Sequence, residues 1–422
     1  MKRVVLVICD GLRADMLCSN WTPNLQKLRI KGRFFEKHRG VFPSTTRTTA
    51  ASIATGCYPA RHGLEGNCVA IDEGQGLQAV SVGPADFRER LRKATGKTLR
   101  VPTISERLYN KGGAIIYSNV SPGAAYFNDP DGFGYVYHRS GSFGPNLEKI
   151  KGLAHLDISH DNLGDSEMTH RFCDEVLNQK KPAYSVLWQC EPDHTQHAEP
   201  LGSPAHLAAI SAADNNVKKV YDVINAQVKR GEQILLIVAS DHGHETVSRL
   251  LPLSDLLIEA GLKVSRNSVE IVVASNGLSA NIYMSDQGRE KLEKVVSFLH
   301  TVDGLDKIFW GERLDKIGHR KDGSLAISVT TKRSDAMNQY GIKGESIAIV
   351  DPLHEDTNIG SGQHGGLGKY EQNPFLMFVG YGVAQGSVFS GESSAVDLAP
   401  TVLRFLGEPY GDMDGNPLPL ED

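Results

Sequence analysis

Three apolar runs in this chain end at aspartates. Val4–Cys9 gives way to Asp10-Gly11, Tyr184–Gln189 to Cys190-Glu191-Pro192-Asp193, and Ile234–Ser240 to Asp241-His242-Gly243. In open α/β sheets, ligands gather at the carboxyl ends of strands. The spacing therefore predicts that Asp10, Asp193 and Asp241 converge. Three converging carboxylates repel one another, each disfavouring ionisation of the next, unless a cation lies between them. Histidines accompany them: His197 follows Asp193, His242 adjoins Asp241, and His364 lies in the loop Gly360-Ser-Gly-Gln-His-Gly-Gly. Mixed Asp and His donors suit zinc, with manganese as second choice, better than calcium or magnesium, which favour all-oxygen shells. Two clusters of this kind point to two metal ions. One aspartate after one strand is commonly a turn or cap residue; repetition at equivalent strand ends is what argues for a site.

Such a centre needs a nucleophile. Between Phe42 and Gly63, the residues Thr45, Thr46, Thr48, Thr49 and Ser52 crowd a predicted helix start after a turn at Pro43. A helix N-terminus offers free N–H groups and a positive dipole end, both favourable to a phosphoryl group. A hydroxyl is a poor nucleophile until a metal lowers its pKa. For most of these residues capping is the expected role. Residues 360–365 also fit G-x-G-x-x-G, but they follow the polar stretch DPLHEDTN and lead into no helix. A dinucleotide site is not expected there.

The elements that must position these groups are legible as short Val- and Ile-rich runs alternating with helical patterns. Besides the three runs above, Ala114–Ser118 and Phe375–Gly380 read as strands, and runs apolar throughout suit strands buried on both faces. Helices are predicted within Pro102–Asn110, Ser166–Asn178 and Pro204–Arg230. The result is an α/β fold, a sandwich with helices on both faces of a mostly parallel sheet. From about Leu253 the pattern changes. A helix candidate at Gln287–His300 lies among short alternating segments, Ser279–Met284 and Leu325–Val329, and reads as a small α+β insertion. Residues Gly74–Gly96 and Asp129–Leu163 are turn-rich and read as surface loops.

Composition narrows the class. The 422 residues are 40% hydrophobic and 23% charged, an ordinary globular balance that excludes a disordered or fibrous chain. The net charge of −5 argues against a nucleic-acid coat or a polybasic membrane binder. Six scattered cysteines form no C-x-x-C pair, as expected in a reducing compartment. No apolar run has the length of a membrane span and no signal-like stretch is visible, so a cytoplasmic location is expected.

At the segment Thr55-Gly-Cys-Tyr-Pro-Ala-Arg-His-Gly63 the chain resembles the alkaline phosphatase superfamily. Its closest likeness there is to the type I phosphodiesterase/nucleotide pyrophosphatase branch, which includes phosphonoacetate hydrolases. The resemblance covers most of residues 1–250 and 355–422. It takes in Asp10, the D-x-x-x-H element Asp193/His197, Ser240-Asp-His-Gly243, Gly362-Gln-His-Gly365, the closing segment from Val396 to Gly407, and Asp414-Gly415. It implies an alkaline phosphatase-like α/β/α core, 1–252 and 355–422, carrying a cap at 253–354. Counting back from Gly56 by the family's ten-residue spacing gives Thr46 as nucleophile. The resemblance further implies that Asp193, His197 and His364 hold one metal, and that Asp10, Asp241, His242 and the Thr46 oxygen hold the other. Asn67 matches the asparagine that binds a non-bridging phosphoryl oxygen.

The implied activity is two-metal hydrolysis of phosphate diesters or related esters through a phospho-threonine intermediate, with a small-molecule substrate rather than a nucleic-acid polymer or a membrane. A phosphonate C–P hydrolase is the alternative, to be favoured by a basic cap residue reaching a substrate carboxylate, with Lys307, Lys316, Arg320, Lys321, Lys332 and Arg333 as candidates. A metal-binding scaffold without catalysis is the further alternative. The sulfatase nucleophile motif is absent, and Thr46 argues against a phosphomutase. Arg47 departs from the family pattern and either points at the substrate or caps a surface. His62 reads as structural, Trp188 as core and Cys9 as a small buried hydrophobe, while His194 and His244 are either supports for the ligands or solvated.

Overall fold

The computed structural model describes residues 2–350 and 357–421. Its centre is a ten-stranded sheet. The strands that matter for the site are β1 (Arg3–Cys9), β2 (Arg33–Arg39), β3 (Ala114–Ser118), β4 (Tyr184–Gln189), β5 (Ile234–Ala239), β6 (Leu376–Gly380) and β7 (Ser387–Ser394). Their order is β7-β2-β6-β5-β1-β4-β3, followed by three short strands between Tyr135 and Ile150. The pairs β5-β1-β4-β3 are parallel, while β6 runs antiparallel to both β5 and β2. The sheet is therefore mostly parallel at the heart of the molecule, with one reversed strand beside it.

The unbroken apolar runs are explained by two cores. Val4, Leu6 and Ile8 of β1 pack on one face with helix α1 (Thr46–Thr55) and helix α3 (Leu398–Leu406). Val5, Val7 and Cys9 pack on the other with helix α2 (Pro204–Val228). Successive side chains of a strand point to opposite faces, so a strand covered on both sides is apolar at every position. Fully burying one such side chain stabilises by about 1.5–3 kcal/mol.

Register decides where the strands end. Ile8 of β1 lies opposite Ala239 of β5, and Cys9 opposite Gln189 of β4. All three strands thus stop at one level, and Asp10, Asp193 and Asp241 leave the sheet at the same edge.

The stretch from Leu253 has its own four-stranded sheet, Ile271–Ser275, Ser279–Met284, Leu325–Thr331 and Leu305–Trp310, over an apolar cluster that includes Leu257, Ile282, Val295 and Ile327. A second small sheet pairs Glu245–Leu251 with Lys343–Ile349 and so spans the expected boundary at 252/253. Residues 351–354, the expected end of the cap, lie outside the described residues, as does the stretch 351–356 before the His364 loop.

Several local expectations are corrected. The helix expected over Gln287–His300 is two short helices, Asp286–Arg289 and Leu292–Leu299. In the first of them Gly288 approaches the Glu270 carbonyl so closely that a Cβ would lie 2.0 Å from it. The supposed loop Gly74–Gly96 contains the strand Leu77–Ser81 and the helix Phe87–Thr95, whose Phe87 and Leu91 pack against Val272 and Tyr283 of the insertion. Three short strands occupy part of Asp129–Leu163. The helix expected in Pro102–Asn110 is a single turn, Ile104–Arg107.

Candidate active site

Asp10 and Asp241 are fully buried at the ends of β1 and β5. One oxygen of each is tied down: Trp188 Nε1–H donates to Asp10 Oδ2 at 2.8 Å, and the Gly11 N–H donates to Asp241 Oδ1 at 3.1 Å. The other oxygen of each, Asp10 Oδ1 and Asp241 Oδ2, is buried with no hydrogen-bond partner among the described residues. Both face His242 Nε2, at 3.5 and 3.2 Å. His242 Nδ1 lies 3.1 Å from the Gly243 carbonyl, an acceptor, so its proton sits on Nδ1 and its Nε2 lone pair faces the carboxylates. Thr46 Oγ1 is 3.0 Å from the same Nε2. The hydroxyl reaches this point because Thr46 is the first residue of α1, whose N-cap is Thr45.

A second group adjoins the first. Asp193 Oδ1 is 2.7 Å from His244 Nε2, 3.5 Å from His197 Nε2 and 3.6 Å from His364 Nε2. His364 is oriented like His242: its Nδ1 donates to the Ser44 carbonyl at 2.7 Å, which leaves Nε2 as the open donor atom. The His242 and His364 rings stack at 3.7 Å between centroids. Among the described residues, potential ligand atoms converge in two sets, Asp10/Asp241/His242 and Asp193/His242/His244/His364. His197 lies beside the second set, its ring 5.2 Å from that of His364.

The electrostatics describe an uncompensated cluster. Burial, then Asp241 and Asp193, push the Asp10 carboxyl well up. Burial and Asp193 push Asp241 up to about 8. Burial pulls His242 and His244 down to about 4. Burial also acts to raise Asp193, but His197 and His244 hold it well below the usual carboxylate range. The lone pair of a neutral His242 thus faces the two open oxygens of Asp10 and Asp241 in a buried space. A divalent cation is the group that satisfies acceptors facing acceptors, and mixed Asp/His donors suit a borderline metal. The residues fit the metals that the sequence implies.

Asn67 flanks the start of the Thr46 helix. Its Oδ1 accepts the Arg47 N–H at 3.2 Å, which turns the side-chain NH2 away from that helix end. Its own N–H donates to Asn276 Oδ1, in the turn between Ile271–Ser275 and Ser279–Met284. The same turn grips the His364 loop: the Leu278 N–H donates to the His364 carbonyl at 2.9 Å and Ser279 Oγ to the Gly365 carbonyl. Gly365 has φ +107°, and a Cβ there would stand 1.6 Å from the Asn276 carbonyl, so only glycine lets the two segments meet.

Several contributors were not legible as such in the sequence. Trp188 reads as core, yet its indole N–H anchors Asp10. His244 turns out to be bonded to Asp193 rather than solvated; its position two residues after His242, just before the strand Glu245–Leu251, was the available signal. Ser44 and Asn276 carry no motif. Glu371 is buried and accepts from Ser44 Oγ and from the N–H groups of Gly366 and Gly368, which shapes the His364 loop. The structural reading of His62 agrees with its bonds to Ser52 Oγ at 2.9 Å and the Leu64 N–H at 3.1 Å. The cap cations lie elsewhere. Lys307, Lys316 and Arg333 line a separate cleft of about 890 Å³, and Arg320, Lys321 and Lys332 pair with surface carboxylates.

A mostly parallel sheet ending in clustered Asp and His side chains, with a hydroxyl at an adjacent helix start, agrees with the likeness to the alkaline phosphatase superfamily. Residues 4–323 match the family model of type I phosphodiesterase / nucleotide pyrophosphatase, and the chain belongs to that family. A venom phosphodiesterase of Crotalus adamanteus is 26% identical over 255 residues, which are 58% of this chain but 27% of that protein. One from Naja atra is 24% identical over 254 residues, 58% of this chain and 26% of its own length. The matches thus span about a quarter of these relatives. Among solved structures, murine ectonucleotide pyrophosphatase/phosphodiesterase 5, an inactive form in complex with AMP, aligns with a TM-score of 0.70 at 18% identity, covering 99% of this chain and 98% of that one. Phosphonoacetate hydrolase from Sinorhizobium meliloti, in complex with phosphonoformate, aligns at 0.70 and 16% identity, covering 96% of each chain.

Proposed function

We propose that the protein is a metal-dependent hydrolase of phosphate esters, of phosphodiesterase type, with Thr46 as its nucleophile. The observation that carries this reading is the Thr46 hydroxyl at a helix start, 3.0 Å from His242 Nε2 and beside two buried carboxylates that each leave one oxygen open. Asp193, His197 and His364 would hold one divalent ion, and Asp10, Asp241, His242 and the Thr46 oxygen a second, zinc being the first choice and manganese the next. When bound, such ions lower the pKa of a coordinated hydroxyl and offset the charge of the phosphoryl group.

The chain's own residues do the rest. The Thr46 oxygen attacks phosphorus in line and the ester oxygen leaves. Water then cleaves the phospho-threonine. The Asn67 NH2, aimed by the Arg47 N–H on its carbonyl oxygen, donates to a non-bridging oxygen as charge develops there. Trp188 holds Asp10, and the Ser44 carbonyl fixes the tautomer of His364, as outer partners of metal ligands do. All six cysteines are free, five of them buried, which supports a reducing, cytoplasmic setting. No described helix is long and apolar enough to cross a membrane.

A phosphonate C–P hydrolase is the second reading. It is favoured by one observation, the Arg47 side chain in the cleft beside Asn67. The deciding experiment assays zinc-loaded protein on bis-p-nitrophenyl phosphate, p-nitrophenyl phosphate and phosphonoacetate. Turnover of the diester that is lost in Thr46→Ala supports the leading reading. Turnover of phosphonoacetate alone supports the second, and turnover of none overturns both in favour of a silent scaffold.

A further inference from the structure

The cleft of about 890 Å³ that receives three of the cap cations is a cavity of its own. Arg39 and Phe42 reach it from the end of β2 and just beyond, Lys307 and Phe309 from the strand Leu305–Trp310, and Lys369 from the segment after the His364 loop. It shares no described lining residue with the cleft at Asn67 and His364. Its size is that of a small-molecule site, which ordinarily measures about 300–1,000 Å³.

The described lining carries five cations, Arg39, Lys307, Lys316, Arg333 and Lys369, against one carboxylate, Asp315. That carboxylate is engaged by Lys321 at 3.2 Å, and Arg333 is engaged by Asp306 at 3.3 Å. The other four cations form no ion pair among the described residues. Lys369 stands over the Tyr370 ring, 5.3 Å from its centroid. One exposed lysine is ordinarily just solvated. Four cations without carboxylates around one concavity, on a chain of net charge −5, make a local field opposite in sign to that of the whole molecule.

The cleft also has an apolar surface. The Phe42 and Phe309 rings lie 6.4 Å apart between centroids. Phe42 is buried and packs edge-on against the buried His319, while Phe309 is half-buried and leaves part of its ring open. Cations around an aromatic surface match a ligand that is anionic at its edge and apolar in its body. Three of the four cations are lysines, compact point charges that suit phosphoryl groups, whereas planar carboxylates are matched best by the fork of arginine.

We propose that this cleft is a second ligand site, for a small molecule that carries two or more phosphoryl groups on an aromatic or apolar body. The site is separate from the metal centre and does not depend on the hydrolase reading.

The test uses the zinc-loaded full chain and pyrenetetrasulfonate as a fluorescent probe. Its sulfonates stand in for phosphoryl groups, are not hydrolysed and are poor zinc ligands. Anisotropy should rise to saturation at one probe per chain, and pyrenemonosulfonate should bind at least about 10-fold more weakly. Lys307→Glu and Lys316→Glu should each weaken the tetrasulfonate by about 10-fold or more, and Phe309→Ala by about the same factor. Lys229→Glu makes the same charge change at an exposed position just after α2, and should leave affinity within about twofold. Asn67→Ala, in the other cleft, should do the same. With free zinc held constant, inositol hexakisphosphate should displace the probe at least about 10-fold more effectively than mellitate, its carboxylate counterpart. Absence of saturable binding, unchanged affinity in both lysine variants, equal weakening by Lys229→Glu, or a loss confined to Asn67→Ala each overturns the site. The reverse order of displacement overturns the phosphoryl class. None of these results bears on turnover, so the hydrolase reading stands or falls separately.

Discussion

Asn276 Oδ1 accepts the backbone N–H of Asn67 at 2.6 Å, and that of Cys68 at 3.1 Å. A side chain from the small inserted sheet thus holds the strand that carries the proposed phosphoryl-binding amide. Through Leu278 and Ser279 the same turn holds the loop of His364. The turn between Ile271–Ser275 and Ser279–Met284 is therefore part of the frame of the candidate site.

Asn276→Ala is therefore expected to lower kcat by about 10-fold with little change in KM, while removal of the donor in Asn67→Ala should cost about 100-fold or more. If Asn276 acts through Asn67, the double variant should be scarcely worse than Asn67→Ala. Additive losses in that cycle would show that Asn276 acts elsewhere.

Thr46→Ala should reduce turnover by about 1,000-fold or more, and Thr46→Ser should keep a large part of it. Acid quenching of wild-type enzyme during turnover, followed by peptide mass spectrometry, should find phosphate on Thr46. Phosphate on Thr45, Thr48 or Thr49 would move the nucleophile, although Thr48 and Thr49 are both fully buried.

Asp241→Asn and His364→Ala should each cost bound metal, read by elemental analysis of protein dialysed against limiting zinc. Trp188→Phe removes the N–H that anchors Asp10 and leaves a small cavity where the larger indole packed. It should weaken metal affinity by about 10–100-fold without unfolding the chain. Unchanged zinc content in Asp241→Asn would refute the assignment of the Asp10 set.

His38 offers a pH test away from the metals. It is buried beside Ser393, and burial pulls its pKa down to about 3. The unfolded chain takes up that proton near pH 6.5. Its contribution to stability is thus full above about 6.5 and is lost progressively as the pH falls toward 3, by about 1.4 kcal/mol per pH unit. Urea unfolding of wild type and His38→Gln at pH 7.5, 6 and 5 should show the wild-type advantage shrinking with acid. A constant difference would place a proton on folded His38.

Much of this was legible in the sequence, for local reasons. A strand buried on both faces must be apolar at every position, so Val4–Cys9, Tyr184–Gln189 and Ile234–Ala239 announced themselves, and so did the aspartates that follow them. The crowd of Thr and Ser between Thr45 and Ser52 marked a helix start, and the family resemblance picked Thr46 and Asn67 out of their surroundings. Only the tertiary structure decided which side chains meet. The partner of Asn67 lies 209 residues away and the indole that anchors Asp10 lies 178 away, with no local pattern marking either. His244 rather than His197 makes the shortest contact with Asp193, the cap cations turn to a different cleft, and Arg47 enters the site. Hydrogen-bond partners and charge surroundings are set by how layers pack, and packing joins segments whose sequences carry no record of each other.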